Sequence, residues 1–224
     1  MSGATTVNST VKQPLPAKLR LLNADLARVT AEAAIRWAVE AYGDDLCLLS
    51  SMQDAVLIDL ALGIDPTIDI VFLDNGYHFP ETLEMAKRVE RIYGIEVRRI
   101  SRTDASNATP ISPGECCDLK PRLLDEALEG KQAWLSGLRR GETPERRRAQ
   151  AVETDRRGLT KINPLVGWTQ SDVDAYIDAR AVPVNPLRYQ GYPSIGCQPC
   201  TMPAASGRDG RWANSDRTEC GLHL

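Results

Sequence analysis

Apolar residues along this chain follow two different periods. Residues 23–42 are rich in Ala and carry Leu26, Val29, Ile35, Trp37 and Val39, a spacing that predicts one or two helices with Gly43 as the stop. Leu46-Cys47-Leu48-Leu49 is a short unbroken apolar run, the mark of a strand buried on both faces, and it ends in Ser50-Ser51. Residues 54–62 read as an amphipathic helix. Ile68-Asp69-Ile70-Val71-Phe72-Leu73 is a second strand, closed by Asp74-Asn75-Gly76. Pro80-Glu81 opens another helix, since Pro suits the first helical turn and an acid suits the positive end of the helix dipole. Gly94 ends that helix and residues 95–100 give a third strand. Residues 119–128 are expected to be helical, Ala133-Trp134-Leu135-Ser136 a fourth strand, and 169–180 a helix capped by Thr169 or Ser171. From Val182 onward Pro and Gly are frequent and loop is expected.

Strand and helix alternate, which predicts an α/β fold: a parallel sheet with crossover helices on both faces. Ligands of such sheets bind beyond the carboxyl ends of the strands, where Ser50-Ser51 and Asp74-Asn75-Gly76 fall. Three regions follow. Residues 1–20 form a polar tail expected to be partly disordered, and 21–203 form one α/β domain. Residues 204–224, polar and poor in core residues, form an expected mobile C-terminal tail. A chain of 224 residues suits this single-core plan.

Bulk properties narrow the function only by exclusion. Hydrophobic residues make up 42% and charged residues 25%, ordinary for a soluble protein. The net charge is −3, so no overall basic field recruits nucleic acid or an acidic membrane. No apolar run approaches the ~20 residues of a membrane span. The N-terminus lacks the apolar stretch of a secretory signal, so a cytoplasmic protein is expected. The positive charge is uneven. Arg139, Arg140, Arg146, Arg147, Arg148, Arg156 and Arg157 crowd one stretch, either as a solvated face or as part of a pocket.

In a reducing compartment the six cysteines read as ligands or nucleophiles rather than staples. Cys116-Cys117 is a vicinal pair, Cys197-Gln198-Pro199-Cys200 a CxxC, Cys47 a strand residue and Cys220 a tail residue. Two close pairs of thiolates suit an iron–sulfur cluster or a tetrahedral zinc. Adjacent side chains normally diverge, and Pro113-Gly114 just upstream offers a turn that would let both reach one cluster. A redox disulfide at Cys197 and Cys200 is a third reading, weakened by Pro193, Gly196 and Pro203 around it. Cys47, between leucines, reads as a core residue. Cys220, expected to be exposed, has His223, Arg208, Arg211 and Arg217 nearby in sequence, and cations raise the thiolate fraction of a cysteine.

The segments SSMQDAVL, FLDNGYHFPET, GECCDLKP, WLSGLRRGETPERR, NPLRYQGYPSIGCQPCT, GRDGRW and TECGLHL resemble, in order and spacing, the sulfonucleotide reductase family, and within it the cluster-containing adenylyl-sulfate reductases. The resemblance runs from about Leu46 to the C-terminus. It implies the adenine-nucleotide alpha-hydrolase-like (PP-loop type) fold, with Ser50 and Ser51 at the phosphate loop. It implies a [4Fe-4S] cluster on Cys116, Cys117, Cys197 and Cys200, and a nucleophile at Cys220 followed by the family histidine at His223. Arg208 and Arg211, together with Lys120 and Arg147, would grip the phosphosulfate. The chain also departs from the family pattern. Lys120 is followed by Pro121 where the family commonly has Arg-Lys two residues after the vicinal cysteines. Asn75 stands where Thr is usual, Trp212 alone remains of a tryptophan run, and Arg146, Arg147 and Arg148 make the choice among them ambiguous by one position.

The implied chemistry is the thiol-dependent reduction of adenylyl sulfate to sulfite and AMP in assimilatory sulfate reduction and cysteine biosynthesis. Cys220 would form an S-sulfocysteine that thioredoxin or glutaredoxin then reduces. The same reaction on 3′-phosphoadenylyl sulfate is the alternative; reductases preferring that substrate generally lack the cluster cysteines. An ATP pyrophosphatase of the same fold would want an SGGxDS-type loop, whereas SSMQDA lacks the glycines. A zinc-bound nucleic-acid module is opposed by the acidic composition and the few aromatics. The sequence leaves the oligomeric state open, a homo-oligomer included.

Overall fold

A computed structural model describes residues 23, 30–101, 115–213, 217 and 219–222. The expected tail over 1–20, most of 23–29, the turn at Pro113-Gly114 and the histidine at 223 lie outside the described residues, as does the side chain of Cys116. Six strands form one sheet: β1 (Leu46–Ser50), β2 (Asp69–Asp74), β3 (Arg98–Ser101), β4 (Ala133–Ser136), β5 (Val152–Thr154) and β6 (Thr160–Ile162). Their order is β3-β2-β1-β4-β6-β5, parallel throughout except for the β5–β6 pair. Among the described residues five α-helices accompany them: α1 (Ala31–Tyr42), α2 (Val56–Leu62), α3 (Pro80–Tyr93), α4 (Glu115–Ala127) and α5 (Gln170–Arg180). Among the described residues no helix is long and apolar enough to cross a membrane.

The period-two alternation of strand side chains divides the core. Leu46, Leu48, Ile70, Phe72, Ala133 and Leu135 face α1, α2, α3 and α5, meeting Ile35, Ile58, Met85, Val89 and Val173. Cys47, Val71, Leu73 and Trp134 point the other way, onto Leu123, Leu124 and Ala127 of α4. Both faces of the sheet are therefore covered, as expected, and each large side chain so buried contributes roughly 1.5–3 kcal/mol. Helix ends follow the sequence signals. Thr169 and Asp172 form a reciprocal cap on α5, and α3 ends at Gly94 with φ 66°, a conformation open to glycine at no steric cost.

Two differences from the sequence reading matter. The β5–β6 hairpin at the sheet edge was not expected, because Val152-Glu153-Thr154 and Thr160-Lys161-Ile162 show no apolar run. Burial of Lys161 there depends on its partners: its Nζ lies 3.2 Å from Glu153, opposite it on β5, and over the Trp134 ring of β4. Helix α4 already covers Glu115, where the described residues resume, rather than beginning at 119, so Cys116 and Cys117 are helical. Pro121 sits inside that helix and lacks the N–H that would otherwise reach back to the Cys117 carbonyl.

Candidate active site

From β1 the chain winds outward to β3 and then returns to β4 on the other side of β1, which makes β1/β4 the point where strand order reverses. Such a crevice is where open α/β sheets bind ligands. A cavity of about 170 Å³ opens there, floored by Ser50 and Ser51 at the end of β1 and by Ser136, Gly137 and Leu138 at the end of β4. The Ser50 hydroxyl accepts from Met52 N at 3.2 Å, closing a tight turn, and Met52 adopts φ 59°. A non-glycine residue in that region is strained backbone, here in the loop that carries the site. Asp54 follows, its Oδ1 accepting from Val56 N at 3.1 Å at the start of α2.

The opposite wall comes from the C-terminal half. Lys120, Arg139, Arg146, Arg208, Arg211 and Cys220 all line this one cavity. Cys220, expected to be exposed, is 7% exposed. Of the described tail residues, Arg208, Arg211, Cys220 and Leu222 line the cavity, and Gly221 lies beside the Pro121 ring. Arg147, expected on the substrate, is instead exposed, and Arg146 takes the inward position of the arginine run. The reason is a partner 73 residues away: Arg146 Nε and Nη2 donate to Glu219 at 2.6 and 2.7 Å, and its Nη1 reaches Glu142.

The cations differ in how far they are neutralised. Arg139 pairs with Glu142 at 3.4 Å, and Arg146 with two carboxylates. Arg208 touches Glu219 at 3.4 Å, and its buried Nε has no partner. Burial, with Arg146 and Arg211 close by, brings the Arg208 guanidinium down to about 10. Arg211 is held by Ser194 Oγ and the Ile195 carbonyl at 3.4 Å and stacks on Trp212 at 4.4 Å, leaving its own buried Nε without a partner. A Cβ on Gly196 would collide with this guanidinium, so the glycine is what lets Arg211 lie there. Among the described residues, neither Arg211 nor Lys120 forms an ion pair. Burial opposes the Lys120 charge, yet the sulfurs of Cys197, Cys220 and Cys117 outweigh it and hold the ammonium above the ordinary lysine range.

Beside the cavity, Cys117, Cys197, Cys200, Trp212 and Cys220 form one buried cluster. Cys197 begins the short 3₁₀ turn Gln198–Cys200, and its strand-like bridge to His78 ties it to the loop after β2. Asn75 Nδ2 donates to Cys197 Sγ at 3.1 Å and Trp212 Nε1 to Cys117 Sγ at 3.2 Å. Among the described residues, which leave out the Cys116 side chain, no three ligating groups stand in metal-holding positions. The donor set nevertheless fits an iron–sulfur group. Three buried thiols, N–H donors aimed at two of them and a nearby ammonium are what anionic thiolate ligands require.

Sequence reasoning thus located Ser50, Ser51, Lys120, Arg208, Arg211 and Cys220 in one cavity. It missed Arg139, Glu142, Glu219 and His78. The His78 ring rests on Phe72 and donates from Nε2 to the Leu73 carbonyl at 2.9 Å, while burial, reinforced by Lys120, holds its pKa below the ordinary histidine range.

The chain is similar to known proteins along most of its length. Residues 46–203 match the model of the phosphoadenosine phosphosulfate reductase domain. The chain is 45% identical over 215 residues to a protein of Mycolicibacterium smegmatis named adenosine 5′-phosphosulfate reductase, covering 90% of this chain and 91% of the relative. A Streptomyces coelicolor protein of the same name is 42% identical, covering 89% and 90%. The phosphoadenylyl-sulfate reductase of Candida auris superposes with a TM-score of 0.74 at 25% identity, covering 84% of this chain and 98% of that one. The FMN adenylyltransferase of Candida glabrata, at 13% identity and a TM-score of 0.59, shares the fold, covering 83% and 70%.

Proposed function

The chain belongs to the phosphoadenosine phosphosulfate reductase domain family, and on that premise we propose that it reduces adenylyl sulfate to sulfite and AMP through an S-sulfonated Cys220. The observation that carries this reading is a buried cysteine in a cavity it shares with Lys120, Arg208 and Arg211. The substrate joins a phosphate and a sulfate on adenosine. Planar guanidiniums match such oxyanions two oxygens at a time, and the partnerless Nε groups of Arg208 and Arg211 are donors awaiting an acceptor. Ser50 and Ser51 stand at the strand end where the nucleotide's phosphate would lie.

The Cys220 thiolate attacks the sulfur of the anhydride, the S–O bond breaks, and its electron pair leaves with AMP. Lys120, Arg208 and Arg211 spread the charge that grows on the leaving phosphate. A thiolate of an external dithiol, thioredoxin or glutaredoxin, then attacks Cys220 Sγ and displaces sulfite with the bonding pair. The second thiol resolves the mixed disulfide, so the dithiol is oxidised as sulfur(VI) becomes sulfur(IV). Such a reductant supports a cytoplasmic location.

Cys116, Cys117, Cys197 and Cys200 would hold a [4Fe-4S] group, which when bound supplies a fixed charge beside the substrate rather than electrons. Asn75 and Trp212 would orient two of its thiolate ligands. His223 would follow the nucleophile as a further substrate contact. The names borne by relatives at 39–45% identity favour adenylyl sulfate over its 3′-phosphorylated form. Anaerobically purified protein should carry iron and sulfide and release sulfite from adenylyl sulfate with thioredoxin, at a higher kcat/KM than on the 3′-phosphorylated compound. A colourless, iron-free protein with no sulfite release would refute the proposal.

A further inference from the structure

Glu219, one residue from the nucleophile, is a buried carboxylate paired with two of the arginines that line the cavity. Its side chain is 3% exposed. Arg146 grips it bidentately, Nε to Oε1 at 2.6 Å and Nη2 to Oε2 at 2.7 Å, and Thr143 Oγ1 donates to Oε1 at 3.3 Å. Arg146 is braced in turn by Glu142, so the grip belongs to the rigid segment after β4 rather than to the tail. A guanidinium–carboxylate fork fixes the plane of the carboxylate, and with it the backbone that carries Cys220. The ion pair of Arg217 with Asp118, by contrast, is exposed and holds weakly. The Arg208 contact is of another kind. At 3.4 Å it lies outside the fork, made by a guanidinium crowded by two others and still short of a partner at Nε.

We propose that Glu219 is the positioning residue of the nucleophile: its fork with Arg146 seats Cys220 in the cavity, while its looser contact with Arg208 is exchanged for the anion of the incoming sulfonucleotide. This rests on Cys220 being the nucleophile. Arg146 then acts on the reaction through Glu219. Binding of substrate frees Glu219 from Arg208 without loosening the fork, so the tail stays closed during attack.

The test reads the seat directly, without turnover. Nucleotide-free holoenzyme is treated with iodoacetamide and modification at Cys220 alone is followed by peptide mass mapping. Glu219→Gln should raise the Cys220 rate by about tenfold or more, since removing one partner of a buried pair is strongly unfavourable for the closed state. Glu219→Asp should fall between, and Glu219→Gln with Arg146→Gln should add little to either single change. With adenylyl sulfate, Glu219→Gln should lower the rate of S-sulfonation without raising KM. Should Glu219→Gln lower the melting temperature, Arg146→Lys, which keeps the charge but not the fork, is read instead, with the same rise expected. Wild-type alkylation rates in these variants, or full additivity in the double variant, would overturn the proposal. They would do so even if Cys220 proved to be the nucleophile, which sulfite release tests separately.

Discussion

Cys47 and Cys220 are both shut off from solvent, at 0% and 7% exposure, yet their surroundings differ in kind. Cys47 lies mid-strand in β1, and burial, with Asp69 adding to it, pushes its thiol up to about 12. Cations are near, but Arg98 and Lys131 are committed to Asp69 at 2.7 and 3.0 Å. Around Cys220 the allocation is reversed. Glu142 and Glu219 occupy Arg139 and Arg146, while Lys120 and Arg211 have no carboxylate among the described residues. Burial alone makes a thiol inert. Burial beside cations that no carboxylate occupies among the described residues makes a place for an anion to meet a sulfur.

The contrast breaks most visibly at the sulfur itself. Cys220→Ser should bind nucleotide but lose turnover by about 10³-fold or more, checked by sulfite release. Next in size, Arg211→Ala or Lys120→Ala should lower kcat/KM by roughly 10²–10³-fold, the usual loss for a charge-stabilising group. Gly196→Ala should lower it by about 10²-fold or less through a displaced guanidinium. If Gly196 acts through Arg211, the glycine change should have no further effect in the Arg211→Ala background, at unchanged iron content. At the small end, Cys47→Ala should leave kcat/KM unaltered and cost about 1 kcal/mol in denaturant unfolding. In the native holoenzyme Cys47 should stay unalkylated at mildly alkaline pH, since its folded thiol ionises far above that range. Any rapid modification there would erase the distinction.

Much of this was legible in the sequence because it is local. The runs at Leu46-Cys47-Leu48-Leu49 and Ala133-Trp134-Leu135-Ser136 announce β1 and β4, and the site lies where those strands end. Residues reached through long-range pairing were not legible. The run Arg146-Arg147-Arg148 offers three equal candidates, and the choice is made by Glu219, far along the chain. Glu219 itself, read alone, is an ordinary acid in a polar tail. The β5–β6 hairpin hides for the same reason, since a strand centred on Lys161 is stable only with Glu153 and Trp134 around it. Asn75, a departure from the family pattern at the end of β2, acquires its meaning from Cys197, 122 positions later.

The most direct test of the central claim mixes holoenzyme with adenylyl sulfate in the absence of any dithiol and reads the intact mass. A gain of one SO₃ group, located on Cys220 by fragmentation, equal in amount to the AMP released and discharged as sulfite on adding thioredoxin, is the predicted result. AMP release with no mass gain, or a gain located on any other cysteine, would contradict it.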